Sequence, residues 1–97
     1  MAKYIILCTW TNHGAKDVRT TVERSRLARE AFAKVGVNAR EWHFTMGRYD
    51  VIMTVDAPDD ETLMRATMGL TALGNMRTET LKGFTEKEME AILKTVP

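Results

Sequence analysis

The chain has 97 residues, 44% of them hydrophobic, and its 14 Lys and Arg nearly balance 13 Asp and Glu for a formal charge of +1. That length fits one domain over residues 1–97, and the apolar content with only two prolines and six glycines excludes a disordered chain. Near-neutral charge of mixed sign argues against a nucleic-acid partner.

The single cysteine, Cys8, excludes an internal disulfide and a thiolate metal cluster within one chain. With an N-terminus that runs from Met1-Ala2-Lys3 directly into a short apolar segment, it points to a reduced, cytoplasmic setting without a signal peptide. The longest apolar run, Tyr4 to Cys8, is far below the roughly 20 residues that a membrane span requires, so no membrane association is expected.

Lys3 to Trp10 is rich in β-branched and aromatic residues and reads as a first strand, closed by the loop-like Thr11-Asn12-His13-Gly14. From Lys16 to Val35 the period becomes helical, with Val18, Val22, Ser25, Ala28, Phe32 and Val35 on one stripe and Gly36 as the stop. Val37 to Met46 and Asp50 to Ala57 form a hairpin about the turn Gly47-Arg48-Tyr49. Pro58-Asp59-Asp60 starts a second helix whose stripe is Leu63, Ala66, Thr67, Leu70 and Leu73. Gly74-Asn75 ends it before a fourth strand, Met76 to Phe84, and Thr85-Glu86-Lys87-Glu88 has the form of a capping box for a short terminal helix. The order β-α-β-β-α-β-α is an α+β, ferredoxin-like plan, with two helices covering one face of a four-stranded antiparallel sheet.

A sheet wet on one face should alternate apolar and polar residues. Ile5-Ile6-Leu7 runs continuously, and Val51, Ile52, Met53 and Val55 nearly do. Both faces of the central strands therefore call for cover, and two helices supply only one. A second copy packed sheet to sheet, a homodimer, is the simplest cover for the other.

Four segments carry a resemblance: Thr45-Met46-Gly47-Arg48-Tyr49-Asp50, Ala57-Pro58-Asp59-Asp60, Gly74-Asn75-Met76-Arg77-Thr78-Glu79-Thr80-Leu81 and Phe84-Thr85-Glu86. With Tyr4-Ile5-Ile6-Leu7, Thr11 and Gly14, they resemble the GYD domain family over nearly the whole chain. The resemblance implies a dimeric α/β barrel, a fold shared with cofactor-free monooxygenases, isomerases and haem-degrading enzymes, and it transfers no catalytic residue. One departure stands out: where the family pattern has two aromatic residues before Thr-Met-Gly, this chain has His43 and Phe44.

The candidate functional residues each carry two readings. Gly47, Tyr49 and Asp50 build a turn, or Tyr49 and Asp50 border a pocket as a phenol and a carboxylate that bind ligand or move a proton, beside Arg48. His43 shares one face of its strand with Glu41 and Thr45, opposite Trp42, Phe44 and Met46, and is either a structural residue, a general base or a haem ligand. Arg29 falls inside the apolar stripe of the first helix. It either snorkels to water or, with Ser25, points into a cavity between helix and sheet to hold an anion or to pair with Asp50, Asp56 or Glu79. Arg77 and Glu79, two apart in the fourth strand, form a surface ladder or part of a pocket or interface. Cys8 reads as a small buried hydrophobe rather than a nucleophile.

No cluster with metal-ligand spacing accompanies either histidine, so no metal is expected. The combined expectation is a homodimer holding a small aromatic or anionic molecule through Arg29, His43, Arg48, Tyr49 and Arg77, with no bound cofactor. The alternatives are a small cofactor-free monooxygenase- or isomerase-like enzyme using His43, Tyr49 or Asp50 as acid or base, and a haem protein ligated through His43.

Overall fold

A computed structural model describes residues 1–97. Its elements are β1 (Ala2–Trp10), α1 (Asn12–Lys16), a 3-10 turn (Val18–Thr20), α2 (Thr21–Lys34), β2 (Asn38–Phe44), β3 (Val51–Ala57), α3 (Asp60–Ala72), β4 (Met76–Gly83) and α4 (Glu86–Leu93). The strands form one sheet in the order β2-β3-β1-β4, every neighbour antiparallel, which is the expected α+β, ferredoxin-like arrangement.

The central strands bury alternate residues. Tyr4, Ile6 and Cys8 of β1 and Val51, Met53, Val55 and Ala57 of β3 are buried, and they pack with Phe32 of α2 and with Leu63, Ala66 and Leu70 of α3. Each large apolar side chain removed from water in this way contributes about 1.5–3 kcal/mol, so this one layer between helices and sheet holds the fold together. The residues between, Ile5, Leu7 and Ile52, point to the opposite face, where they are half-buried by their neighbours and covered by no helix. Leu81, paired with Ile5, stands 50% exposed beside them.

The second strand is shorter than the expected Val37 to Met46, running Asn38–Phe44, so Thr45 and Met46 lie beyond it. Its pairing slips between Ala39 and Glu41, leaving Arg40 as the extra residue of a bulge, where it meets Asp56 (Nε to Oδ2, 2.7 Å). From Glu41 to Phe44 the expected alternation holds, and the pairing of Trp42 with Met53 shows which face is which: Trp42 looks toward the helices, and Glu41 and His43 toward the open face.

The region read as a loop followed by one long helix is organised differently. Thr11 caps α1 by accepting from the Gly14 amide (3.1 Å), its hydroxyl donates to the Gly74 carbonyl (2.5 Å) and its amide to that of Asn75 (3.0 Å). These bonds hold α1 against the α3–β4 connection, so the chain must turn again through Val18–Thr20 before α2 begins. Val18 falls in that turn, and Val18, Val22 and Val35, all assigned to the buried stripe, are 42%, 54% and 42% exposed. Gly14 is buried in this contact; a Cβ there would lie 2.1 Å from the Asn75 carbonyl oxygen.

The helix caps follow the sequence. Asp59 accepts from the Thr62 amide (2.8 Å), and hydrogen bonding from the Thr62 side chain first, then from this amide, holds its carboxyl below the usual carboxylate range. Thr85 and Glu88 complete the capping box of α4. All of α4 is exposed, including Met89, Ile92 and Leu93. No helix is long and apolar enough to cross a membrane.

Candidate functional site

The residues singled out from the sequence divide between two faces of the sheet. On the open face the cross-strand register sets up one row, Glu79, Leu7, Ile52 and His43, and a second, Leu81, Ile5, Thr54 and Glu41. The first row therefore has an apolar centre between Glu79 and His43, while in the second the apolar residues Leu81 and Ile5 run out to the β4 edge. The Tyr49 hydroxyl reaches Glu79 Oε2 (3.4 Å), the Arg48 guanidinium lies 5.6 Å from the Tyr49 ring centroid, and Arg77 sits two residues from Glu79 on β4. Met46, at the tip of the β2–β3 loop, is 100% exposed.

The three acid/base candidates do not meet. Asp50 turns away from the loop, and its carboxylate accepts from the Trp10 amide (2.8 Å) while its own amide donates to the Cys8 carbonyl (2.9 Å). The loop itself is closed by Thr45, whose hydroxyl donates to the Tyr49 carbonyl (2.6 Å). His43 stands three strand spacings from the Glu79 end of its row, roughly 14 Å, and its only charged neighbour is Glu41 (3.5 Å). The His43 side chain is 66% exposed on the open face. No group of three or more His, Cys, Asp and Glu side chains is gathered as a metal site.

Arg29 belongs to the other face. Its guanidinium lies 5.1 Å from the Trp42 ring centroid, and none of the suggested carboxylates reaches it: Asp56 pairs with Arg40, Glu79 with Tyr49, and Asp50 with Trp10. Ser25 is buried and spends its hydroxyl on the Thr21 carbonyl (2.9 Å).

Between α2 and α3 the helix layer is open. The gap is a cleft of about 480 Å³, floored by Trp10, Trp42 and Met76 of the sheet and walled by Phe32, Leu70 and Leu73 of the helices. This is within the usual range for small-molecule sites. Its only charged lining residues are Arg24 on α2 and Arg65 on α3. Arg24 donates to the Gly14 carbonyl (3.2 Å) and the Thr21 hydroxyl (3.3 Å), and neither arginine has an ion-pair partner. The indole Nε1 atoms of Trp10 and Trp42 are both buried without a hydrogen-bond partner. Leaving such a donor unmatched costs about 1–3 kcal/mol.

Trp10, Arg24, Trp42, Arg65 and Gly69 were not among the residues selected from the sequence. The available signal was Gly69, a glycine inside a helix on the Arg65 side of α3, where an ordinary helix former would be expected.

Cys8, at 0% exposure, is a core residue, and burial pushes its thiol up to about 12, which removes it as a nucleophile. The buried Tyr4 hydroxyl donates to Asp60; that bond first, and then burial, raise it to about 12.

Comparison with known proteins agrees with this architecture. The GYD domain family model matches residues 4–93. A protein of Thermus thermophilus named glutamine synthetase and cystathionine beta-lyase binding protein is 30% identical over 95 residues, covering 97% of this chain and 100% of that one. A crystal structure of a Thermus thermophilus protein, 26% identical, superposes with a TM-score of 0.57 over 88% of this chain and 95% of that chain. The crystal structure of MtbAldR, 19% identical, superposes with a TM-score of 0.67 over 88% of this chain and shares the fold; this chain spans about half of it (52%).

Proposed function

The chain belongs to the GYD domain family, and from that premise we propose that it is a binding protein that holds a small, largely apolar molecule in the cleft between α2 and α3. The observation that carries this reading is the cleft itself: about 480 Å³ of mostly hydrophobic lining left open in the helix layer of a small fold. A chain this size gains from closing such a gap, because filling apolar space is among its main sources of stability. The neutral dye N-phenylnaphthylamine tests the proposal. Both of the chain's tryptophans line the cleft, so a bound dye should quench them by energy transfer, saturating at one dye per chain. Dye emission that never saturates, or leaves the tryptophans unchanged, would overturn it.

A second reading concerns protein partners, and two observations favour it. The open sheet face, with Ile5, Leu7 and Ile52 on its central strands, Leu81 beside them on the β4 edge, and Glu79, Glu41 and His43 around them, has the layout of an interface, and a second copy of the chain is its proposed occupant. The relative of Thermus thermophilus is named for binding two enzymes, and the apolar residues Met89, Ile92 and Leu93 on exposed α4 offer this chain a surface for such a contact. Its test is coprecipitation of the purified chain with glutamine synthetase and cystathionine beta-lyase from the same organism, with an α4 triple-serine variant as control. Retention that the variant abolishes supports the reading, and failure of the unaltered chain to retain either enzyme refutes it. A cytoplasmic setting belongs to the same proposal, on the strength of the single unpaired Cys8.

A further inference from the structure

Resting on the small-molecule reading of the cleft, we infer that its ligand carries a flat, fused-ring aromatic body that lies on the indoles of Trp10 and Trp42. Both of the chain's tryptophans and one of its three phenylalanines, Phe32, line this one cleft. The two tryptophans are half-buried while their Nε1 atoms are fully buried, so the floor presents ring carbon rather than an N–H group. Trp42 is also held in place. Its ring centroid lies 6.2 Å from that of Phe32 with the planes 59° apart, and the Arg29 guanidinium packs 5.1 Å from it, outside the lining. An indole fixed in this way is a ready surface, and ring-on-ring contact adds to what apolar burial alone supplies.

The walls fit the same occupant. Ala28 and Ala31 of α2 and Ala66 and Gly69 of α3 line the cleft, so at these positions little more than helix backbone bounds it. A Cβ placed at Gly69 would meet no atom within 4 Å. The fold therefore does not require glycine there, and an interior helix glycine weakens the helix. A thin body lying against α3 accounts for it. The polar groups of the lining are already engaged: Ser25 donates to the Thr21 carbonyl (2.9 Å), Thr21 to the Val18 carbonyl (2.5 Å) and Arg24 to the Gly14 carbonyl (3.2 Å). A ligand rich in hydroxyls would give up its bonds to water and find few partners here. Aromatic floor, bare walls and spent hydroxyls together describe a carbon ring system rather than a sugar or an amino acid.

The test pairs 2-naphthalenemethanol with its saturated counterpart, decahydro-2-naphthalenemethanol, as competitors of bound N-phenylnaphthylamine. The two alcohols share one carbon skeleton and differ in aromaticity, so their ratio reports the rings of the cleft. The arene should displace the dye at a concentration at least about tenfold lower. Trp10→Leu keeps an apolar side chain and the backbone bond to Asp50, and it should shrink that ratio. Gly69→Leu, at an open position of α3, should fill the cleft and abolish binding of dye and arene alike while the circular dichroism spectrum is retained. If the dye binds but the two alcohols displace it equally, the aromatic inference is overturned and the cleft reading stands. If the dye does not bind, both fall. Arene binding that survives Gly69→Leu, or a ratio unmoved by Trp10→Leu, would overturn the inference by taking the rings of the ligand off this floor.

Discussion

Gly14 shows how one missing side chain can set a tertiary contact. The Asn75 carbonyl occupies the space a Cβ would need, and Thr11 bonds the same connection through its hydroxyl and its amide. Gly14→Ala must push α1 away from the α3–β4 connection, and a cost of about 1–3 kcal/mol, typical of overpacking, is expected in urea unfolding. Cys8 and Tyr4 govern alkaline stability. In the folded chain their protons are held to about 12, against ordinary values of 9.0 and 10.0. Above pH 9 the unfolded chain loses these protons first, so the stability they contribute is intact below pH 9 and falls as pH rises toward 12. Thermal midpoints measured from pH 7 to 11 should therefore decline at the upper end, and Cys8→Ala should delay the onset toward the range of Tyr4.

At the scale of elements, the β2–β3 loop separates two roles that its sequence presents side by side. Asp50 is a structural tie: Asp50→Ala removes a charge-assisted bond to the Trp10 amide, 40 residues away, and should cost about 1–3 kcal/mol. Tyr49 is different. Its hydroxyl makes one long, exposed contact with Glu79, so Tyr49→Phe should shift stability by less than about 0.5 kcal/mol. Equal losses in the two variants, measured by the same denaturant titration, would contradict this division. The strands and caps were legible because their signals are local: continuous apolar runs for β1 and β3, Asp59 for α3, and Thr85 with Glu88 for α4. The break between α1 and α2 was not, because it depends on Thr11 meeting the Gly74-Asn75 connection, a contact that helical periodicity cannot express. The faces of β2 were undecided for a similar reason, since they depend on the pairing of Trp42 with Met53 across the sheet.

For the whole molecule, the sheet divides the chain into a helix-covered side with an open cleft and a bare side with an apolar centre. Ser25 lines the cleft between helix and sheet and Arg29 lies over Trp42 outside its lining, but the cleft depends on how far apart α2 and α3 settle, and no single segment encodes that distance. Arg29, His43, Arg48, Tyr49 and Arg77 were grouped as one pocket, yet Arg29 lies on the helix side, and the others lie on or beside the bare side in a broad arrangement that only a second surface could close. If a second copy supplies that surface, Leu81→Glu should place a charge against the apolar patch at its β4 side and yield monomers in native mass spectrometry, with the circular dichroism of the monomer unchanged. A dimer that survives this change would place the contact on another face.

With Met46 in the β2–β3 loop, the chain carries a graded set of thioethers. Met46 at the loop tip lies wholly in solvent, Met64 and Met68 on α3 are about half-exposed, and Met53 in the core is sealed. Under mild peroxide the sulfoxides should form in that order, with no cost to the fold at Met46 and a polar intruder in the core once Met53 is reached. Peptide mass spectrometry of partly oxidised protein therefore reads, methionine by methionine, how far solvent has penetrated the chain, and any partner seated over the loop would appear as protection of Met46 alone.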